Sequence, residues 1–266
     1  MYPVIFSIYG PFALNSFSVT LALGLCVFTW RTLNHPWRKQ LINSQDYTNL
    51  VIESALAGII GGRLLHILSQ WKSYSSILQM LSIWNGGLSV LGAVAAVILY
   101  AFIYLKRRRI AFFPIADLAT LYAPLIHAIA RVGCFLAGCC YGKPTQMWWG
   151  VTYTNPETSA PLWVKIHPTQ LYSALVFIAI FLVLRFIISK SHYKPGYVAM
   201  WYLILLGLER ISIDFLRGDR IINISDSIIT TKLLSLHQWL ALLFLASGII
   251  GLYSLRTSTS APKPSL

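Results

Sequence analysis

The stretch 128-AIARVGCFLAGCCYGKPT-145 sets an arginine, three cysteines and three glycines against a chain that is otherwise apolar. Behind it, residues 111–130 form a mostly hydrophobic run. Ahead of it lies a more polar segment, to about residue 167, that carries Trp148, Trp149, Tyr153 and Trp163. An apolar run of about 20 residues matches the helix needed to cross a bilayer core. Amphipathic aromatics favour the headgroup level. The stretch therefore reads as the end of a membrane helix that hands the chain to a boundary loop.

Composition supports the same reading for the whole chain. Of its 266 residues, 56% are hydrophobic and only 11% are charged. A soluble domain carries about 25% charged residues, so this chain lacks the groups to cover a water-facing surface. The bilayer ruler predicts about seven spans, at roughly 12–30, 48–70, 87–105, 111–130, 168–189, 196–215 and 233–255. The fourth and sixth are the least clean, because each ends in charged or polar residues. The expected fold is all-α: a polytopic membrane protein with a single transmembrane domain over 1–256 and a short polar tail over 257–266. The first 20 residues have no basic leader and no small-residue cleavage site, so they do not read as a cleaved signal peptide. Cys26, alone in an apolar run, reads as a small packing residue.

The net charge of +13 points to membrane topology rather than to nucleic acid. Basic residues follow the first span (Arg31, Arg38, Lys39), the third (106-KRRR-109), the fifth (Lys190, Lys194) and the seventh (Arg256, Lys263). Lys and Arg accumulate on the cytoplasmic side. The expected orientation has an outer N-terminus, a cytoplasmic C-terminus and an outer loop over 131–167.

Against that background the ionisable residues at membrane depth stand out. They are Arg63 in 61-GGRLLHIL-68, Arg131, and Glu209, Arg210 and Asp214 in 207-GLERISIDFLRGDR-220. Each is expensive in a bilayer unless paired or facing a polar cavity. Arg210 and Asp214 share a helical face and form a candidate ion pair, a purely structural role. Three arginines from distant segments also suggest an anion site, since the guanidinium grips phosphate in a planar fork. A phospholipid headgroup is the commonest such anion. The glycines in 133-GCFLAGCCYG-142 permit close backbone approach or close helix packing. The C-x4-C-C spacing of Cys134, Cys139 and Cys140 lacks the paired C-x2-C of structural zinc sites, so no metal is expected. On an outer, oxidising face a disulfide from Cys134 to Cys139 or Cys140 is compatible with the spacing.

These segments, in this order, resemble the prolipoprotein diacylglyceryl transferase family. The resemblance is carried by 8-IYGPFAL-14, 61-GGRL-64, 86-GGLSVLGAVAAV-97, 131-RVGCFLAGCCYG-142, 167-HPTQLY-172, 210-RISIDFLR-217 and 233-LLSLHQWL-240. It implies transfer of a diacylglyceryl group from phosphatidylglycerol to the thiol of a lipobox cysteine in a preprolipoprotein signal peptide, with release of glycerol phosphate. It implies no cofactor, and residence in the bacterial inner membrane. Arg131 falls on the family's signature arginine, Gly133 and Gly142 on its glycines, and Arg210 and Asp214 on its late arginine and carboxylate. His167, Gln170 and Tyr172 fall on its His-Pro-Ser-Gln-Leu-Tyr segment. The resemblance makes Arg131, Arg210 and Asp214 catalytic residues, and His127, one turn before Arg131, joins them as a candidate base. Arg63, Cys134 and Cys139 join Gly133, Gly142, His167, Gln170 and Tyr172 as substrate-binding residues.

The sequence departs from the family at polar positions. Phe17 replaces a tyrosine, Leu91 a histidine, Cys134 an asparagine, and Cys139 and Ser173 each replace a glutamate. The phosphate side is retained while groups tied to thiol handling are exchanged. For the thiol proton the sequence leaves His127, His66, His167, Asp214 and a lipid phosphate oxygen as acceptors. It also leaves two further functions open: a non-catalytic relative that binds phospholipid or signal peptide, and a transporter of an anionic substrate.

The charge asymmetry makes a direct prediction. In a Cys-free background, Met147→Cys is labelled from outside by a membrane-impermeant maleimide and Arg107→Cys is not. Outside labelling of position 107 overturns the orientation.

Overall fold

The structure, a computed structural model, describes residues 2–9, 12–82, 86–186, 194–219 and 236–257. The expected tail beyond Thr257 lies outside these residues, as do Lys190, Lys263 and 233–235.

Two short strands, β1 (Val4–Tyr9) and β2 (Phe12–Asn15), pair with each other ahead of the first helix. The helices follow: α1 (Ser16–Leu33), α2 (Pro36–Leu41), α3 (Ser44–Ser69), α4 (Ile77–Leu81), α5 (Val90–Arg107) and α6 (Phe112–Ala137). Two-residue strands β3 (Val151–Thr152) and β4 (Lys165–Ile166) pair antiparallel within the loop that comes next. The chain closes with α7 (Thr169–Phe186), α8 (Tyr197–Asp214) and α9 (Leu236–Thr257). This is an all-α polytopic membrane fold. Among the described residues, six helices, α1, α3, α5, α6, α7 and α9, are long and apolar enough to cross a bilayer. The seventh, α8, has the same length as α1, but Glu209, Arg210 and Asp214 crowd its last turns. Large apolar side chains such as Leu23, Ile60, Leu99, Leu175 and Ile250 are exposed along these helices, as lipid-facing surfaces require. Cys26 is among the exposed residues, so it does not pack in the interior.

Local signals set the helix starts. Asn43 accepts from the Asp46 amide at the head of α3, and Ser89 from the Gly92 amide at the head of α5. Such side chains satisfy amides that the first turn leaves without partners. Two boundaries differ from the sequence expectation. The N-terminal hairpin takes residues 12–15, so α1 starts later. The fourth span runs to Ala137, which places Arg131 inside α6 rather than at its end.

The described chain divides into two compact units: Met1–Phe6, Leu14–Phe28 and Ala116–Leu266 form one; Ser7–Ala13 and Thr29–Ile115 form the other. In the second unit α3 packs on α5. The crossing is tight because a Cβ on Gly61 would lie 2.3 Å from Ala96 Cβ, and one on Gly92 would lie 2.4 Å from Gly61 O. Small residues at the contact are how helices approach closely without a water-driven hydrophobic effect. Arg63 lies on this α3. Its five N–H groups all donate to loop carbonyls: Nε to Met80 (2.8 Å), Nη1 to Gly86 (2.6 Å) and Gly87 (3.0 Å), Nη2 to Gln79 (2.7 Å) and Ser82 (3.1 Å).

In the first unit α8 packs chiefly on α9 and also on α7. A fully buried carboxylate, Asp117 of α6, starts α8. Its oxygens accept from the amides of Gly196 (2.6 Å) and Ala199 (2.8 Å). A carboxylate at a helix N-terminus satisfies orphan donors and meets the positive end of the dipole. Removing it leaves two buried amides unpaired, each worth about 1–3 kcal/mol. Asp117→Ala is therefore expected to lower the thermal unfolding midpoint of the detergent-purified protein markedly. Asp117→Asn, which keeps one acceptor, lowers it less. An unchanged midpoint for Asp117→Ala overturns this assignment.

Candidate functional site

The residues singled out by the sequence between 127 and 217 all belong to the first unit. Three chain segments meet there: the exit of α6, the entry of α7 and the exit of α8. The exit of α6 runs between the other two as a short extended strip. Gly142 N donates to His167 O (3.1 Å), His167 N to Lys143 O (3.0 Å) and Thr145 N to Lys165 O (2.9 Å). On its other edge, Lys143 N donates to Leu216 O and Gly218 N to Tyr141 O, both at 2.9 Å. Gly142 is required at this crossing. A Cβ there would stand 2.5 Å from His167 O and 2.7 Å from His167 Cβ. Gly133 has a packing role on α6, since its Cβ would lie 1.9 Å from Thr20 Oγ1 of α1. Phe17, one turn earlier on α1, lies against the same glycine.

The His-Pro-Thr-Gln-Leu-Tyr segment closes the crossing from above. Thr169 Oγ1 donates to Cys140 O (2.9 Å), and buried Gln170 Nε2 to Cys139 O (2.7 Å). Tyr172 Oη accepts from Trp149 Nε1 (2.6 Å) and lies 3.1 Å from His167 Nδ1. Tyr153 Oη donates to Phe135 O (2.9 Å), and burial pushes its phenol up to about 12. Gln170 thus holds the backbone of the cysteine loop, a role that its expected place in substrate binding did not reveal.

The charged groups gather around this strip. Arg131, Arg210 and Arg217 lie within electrostatic reach of one another or of Cys140. Arg131 and Arg210 also act on His127, whose ring stacks on Phe177 at 4.7 Å. The carboxylate against Arg210 is Glu209, with Oε2 at 3.8 Å from Nε. Asp214, the partner expected from the four-residue spacing, is buried and acts on Arg217. Arg217 holds Asp219 in a two-toothed ion pair, at 2.9 and 2.8 Å, which keeps its guanidinium more firmly charged. Ser173, which stands where a glutamate was expected, donates to buried Glu209. A carboxylate is thus present beside α7, supplied by α8. Sequence reading noted Glu209 as costly but gave it no partner; Asp117 carried the same signal, an acid inside an apolar span.

The sulfurs of Cys134, Cys139 and Cys140 lie within 4.8 Å of one another, and all three are free thiols. The thiols of Cys134 and Cys139 turned toward Cys140, with Arg131 and Arg217 behind them, pull the Cys140 thiol well below its ordinary range. The Cys139 thiol is pushed above it by the same contacts with Cys134 and Cys140. Arg63 has no donor left for a phosphate, because the loop carbonyls of 79–87 take all five.

A sequence profile described as prolipoprotein diacylglyceryl transferase matches residues 3–254. The chain belongs to this family. Three curated members illustrate the likeness, each named phosphatidylglycerol--prolipoprotein diacylglyceryl transferase. The protein of Clostridium tetani is 32% identical, over 94% of this chain and 96% of its own. That of Thermotoga maritima is 32% identical over 90% and 83%, and that of Dehalococcoides mccartyi 32% over 81% and 82%. The family's signature segment in this transferase-family chain is the strip through which all three helix ends are joined.

That architecture is testable through the cysteines it holds. Thr169→Ala and Gln170→Ala release the carbonyls of Cys140 and Cys139, each at a cost of about 1–3 kcal/mol. Both variants are expected to speed maleimide modification of Cys139 and Cys140 relative to Cys26, followed by peptide mass spectrometry. Unchanged relative rates remove the clamp role.

Proposed function

We propose that this membrane protein transfers the diacylglyceryl group of phosphatidylglycerol to the thiol of a lipobox cysteine in a preprolipoprotein signal peptide. Residues 1–256 act as one transferase domain of the bacterial inner membrane, with the N-terminus, the outer end of α6 and the loop that follows it to residue 167 outside and the C-terminus in the cytoplasm. The observation that carries this reading is the excess of positive charge at the crossing of helix ends. Half-buried Arg131 and Arg210 come within reach of each other, and buried Glu209, which accepts from Ser173, stands 3.8 Å from Arg210 Nε. Two guanidinium groups held together by a fold, at membrane depth, need an anion. A phospholipid phosphate supplies it.

The chemistry follows from that charge. A thiolate attacks the glyceryl carbon that bears the phosphate, and the carbon–oxygen bond breaks toward the phosphate. The leaving glycerol phosphate gains negative charge where the arginine forks already stand, so the interaction strengthens as the bond breaks. His127, stacked on Phe177 one turn from Arg131, orients that side of the site. His167, linked through Tyr172 to Trp149, stands where the loop after α6 returns to α7.

Removing one preorganised donor at a developing charge typically lowers the rate about 10²–10³-fold. Arg131→Ala and Arg210→Ala are expected to lose at least that much thioether formation on a lipobox peptide in phosphatidylglycerol-containing membranes. The Lys variants recover little, because a point charge lacks the fork. Near-normal transfer by either alanine variant overturns its place at the reaction centre. Arg63→Ala is expected to lower thermal stability and leave the phosphatidylglycerol dependence of residual transfer unchanged.

A further inference from the structure

The three-thiol cluster has no counterpart in the chemistry described so far. We propose that Cys134, Cys139 and Cys140 hold one thiophilic cation of the zinc class, with its fourth position open to the thiol that is alkylated. The inference rests on the transferase reading and supplies the thiol activation that reading lacks.

The geometry favours metal binding in spite of the spacing. Cys134 lies on the last turn of α6, and Cys139 N donates back to Cys134 O at 3.2 Å. Cys140 adopts φ 58°, a left-handed conformation that costs a non-glycine residue about 1–3 kcal/mol. The hydrogen bonds from Thr169 and Gln170 hold it there. The result is three sulfurs within 4.8 Å of one another. Around a zinc ion with bonds of about 2.3 Å, tetrahedral sulfurs sit about 3.8 Å apart. The cluster needs to contract by no more than about an ångström, and rotation of the side chains achieves that. Three thiolates around a divalent cation leave one net negative charge. Arg131, within electrostatic reach of Cys140, offsets it.

Three protein ligands with an open fourth position is the layout of a catalytic metal centre rather than a structural one. Here the open position faces a reaction whose nucleophile is a thiol. Coordination deprotonates a thiol outright, and the thiolate is the competent nucleophile. The substrate cysteine binds the cation and releases its proton to solvent. Its sulfur then forms the bond to the glyceryl carbon. The bond from that carbon to the phosphate oxygen breaks, and the electron pair leaves on glycerol phosphate against Arg131 and Arg210. The product thioether is a poor ligand and departs; nothing is oxidised or reduced.

The test uses the purified full-length protein in detergent with phosphatidylglycerol. Cadmium titration is expected to give thiolate-to-metal charge-transfer absorption saturating at one ion per chain. Cys134→Ser, Cys139→Ser and Cys140→Ser each lose it, while Arg131→Lys keeps it. A lipobox peptide shifts the band, and a peptide with serine for the cysteine does not. Chelation of the wild-type protein lowers transfer at neutral pH at least about thirtyfold, the factor by which an ordinary thiol of pKa about 8.5 falls short of full ionisation, and zinc restores it. The proposal is overturned if the wild type transfers normally after chelation, if no band forms, if the peptide leaves the band unmoved, or if the protein as isolated carries a disulfide among these cysteines. A protein that binds one cadmium ion, with the band shifted by the peptide, yet forms no thioether defeats the transferase reading and leaves the metal site standing.

Discussion

A chain that leaves a helix at a bilayer must give every backbone N–H and C=O a partner, because lipid offers none. The exit of α6 obeys this constraint through residues 141–145, which are hydrogen-bonded to 165–167 on one edge and to 216–218 on the other. That strip is what joins α6, α7 and α8 at one end. The positions of Arg131, Arg210, Arg217 and the three thiols depend on it. Its tolerance is narrow: Gly142 has a neighbouring backbone oxygen where a side chain would begin. The site is therefore built from backbone pairing first, with side chains such as Thr169 and Gln170 sealing the carbonyls that the pairing leaves.

The same constraint explains what the buried charges do away from the site. Arg63 and Asp117 look alike in the sequence, as expensive residues in apolar runs. In the structure both are held by backbone groups. Arg63 is wrapped by five carbonyls, and Asp117 receives two amides. A charge can be kept at depth by oriented backbone dipoles when the chain around it is folded for that purpose. An intramembrane arginine is not a ligand site on that ground alone: Arg63 spends all five of its donors on carbonyls of its own chain.

The spans were legible because apolar length is a one-dimensional property. The ends were less so: Arg131 and Gly133 look like a helix terminus, yet the helix continues to Ala137 because Gly133 is accommodating α1 rather than breaking α6. The family was legible from ordered motifs. The cysteine cluster was not, because C-x4-C-C becomes a cluster only after the turn at Gly138 and the left-handed Cys140 fold it back. The Ser173–Glu209 contact was equally hidden, since it joins residues 36 apart on different helices.

Asp117 has a further consequence, which concerns depth. It fixes the start of α8 to a defined level on α6, and both helices then run in the same direction. Arg131 lies fourteen residues beyond Asp117, and Arg210 fourteen beyond Gly196. At 1.5 Å per residue each arginine is carried about 21 Å from the common origin. The two guanidinium groups thus arrive level with each other by equal counting along two rods pinned at one point. Such a ruler tolerates side-chain exchange along its length but not a change in residue number. One residue inserted between Gly196 and Arg210 would displace that arginine by about 1.5 Å and swing it about 100° around its helix, with every local contact of the remaining α8 sequence otherwise available.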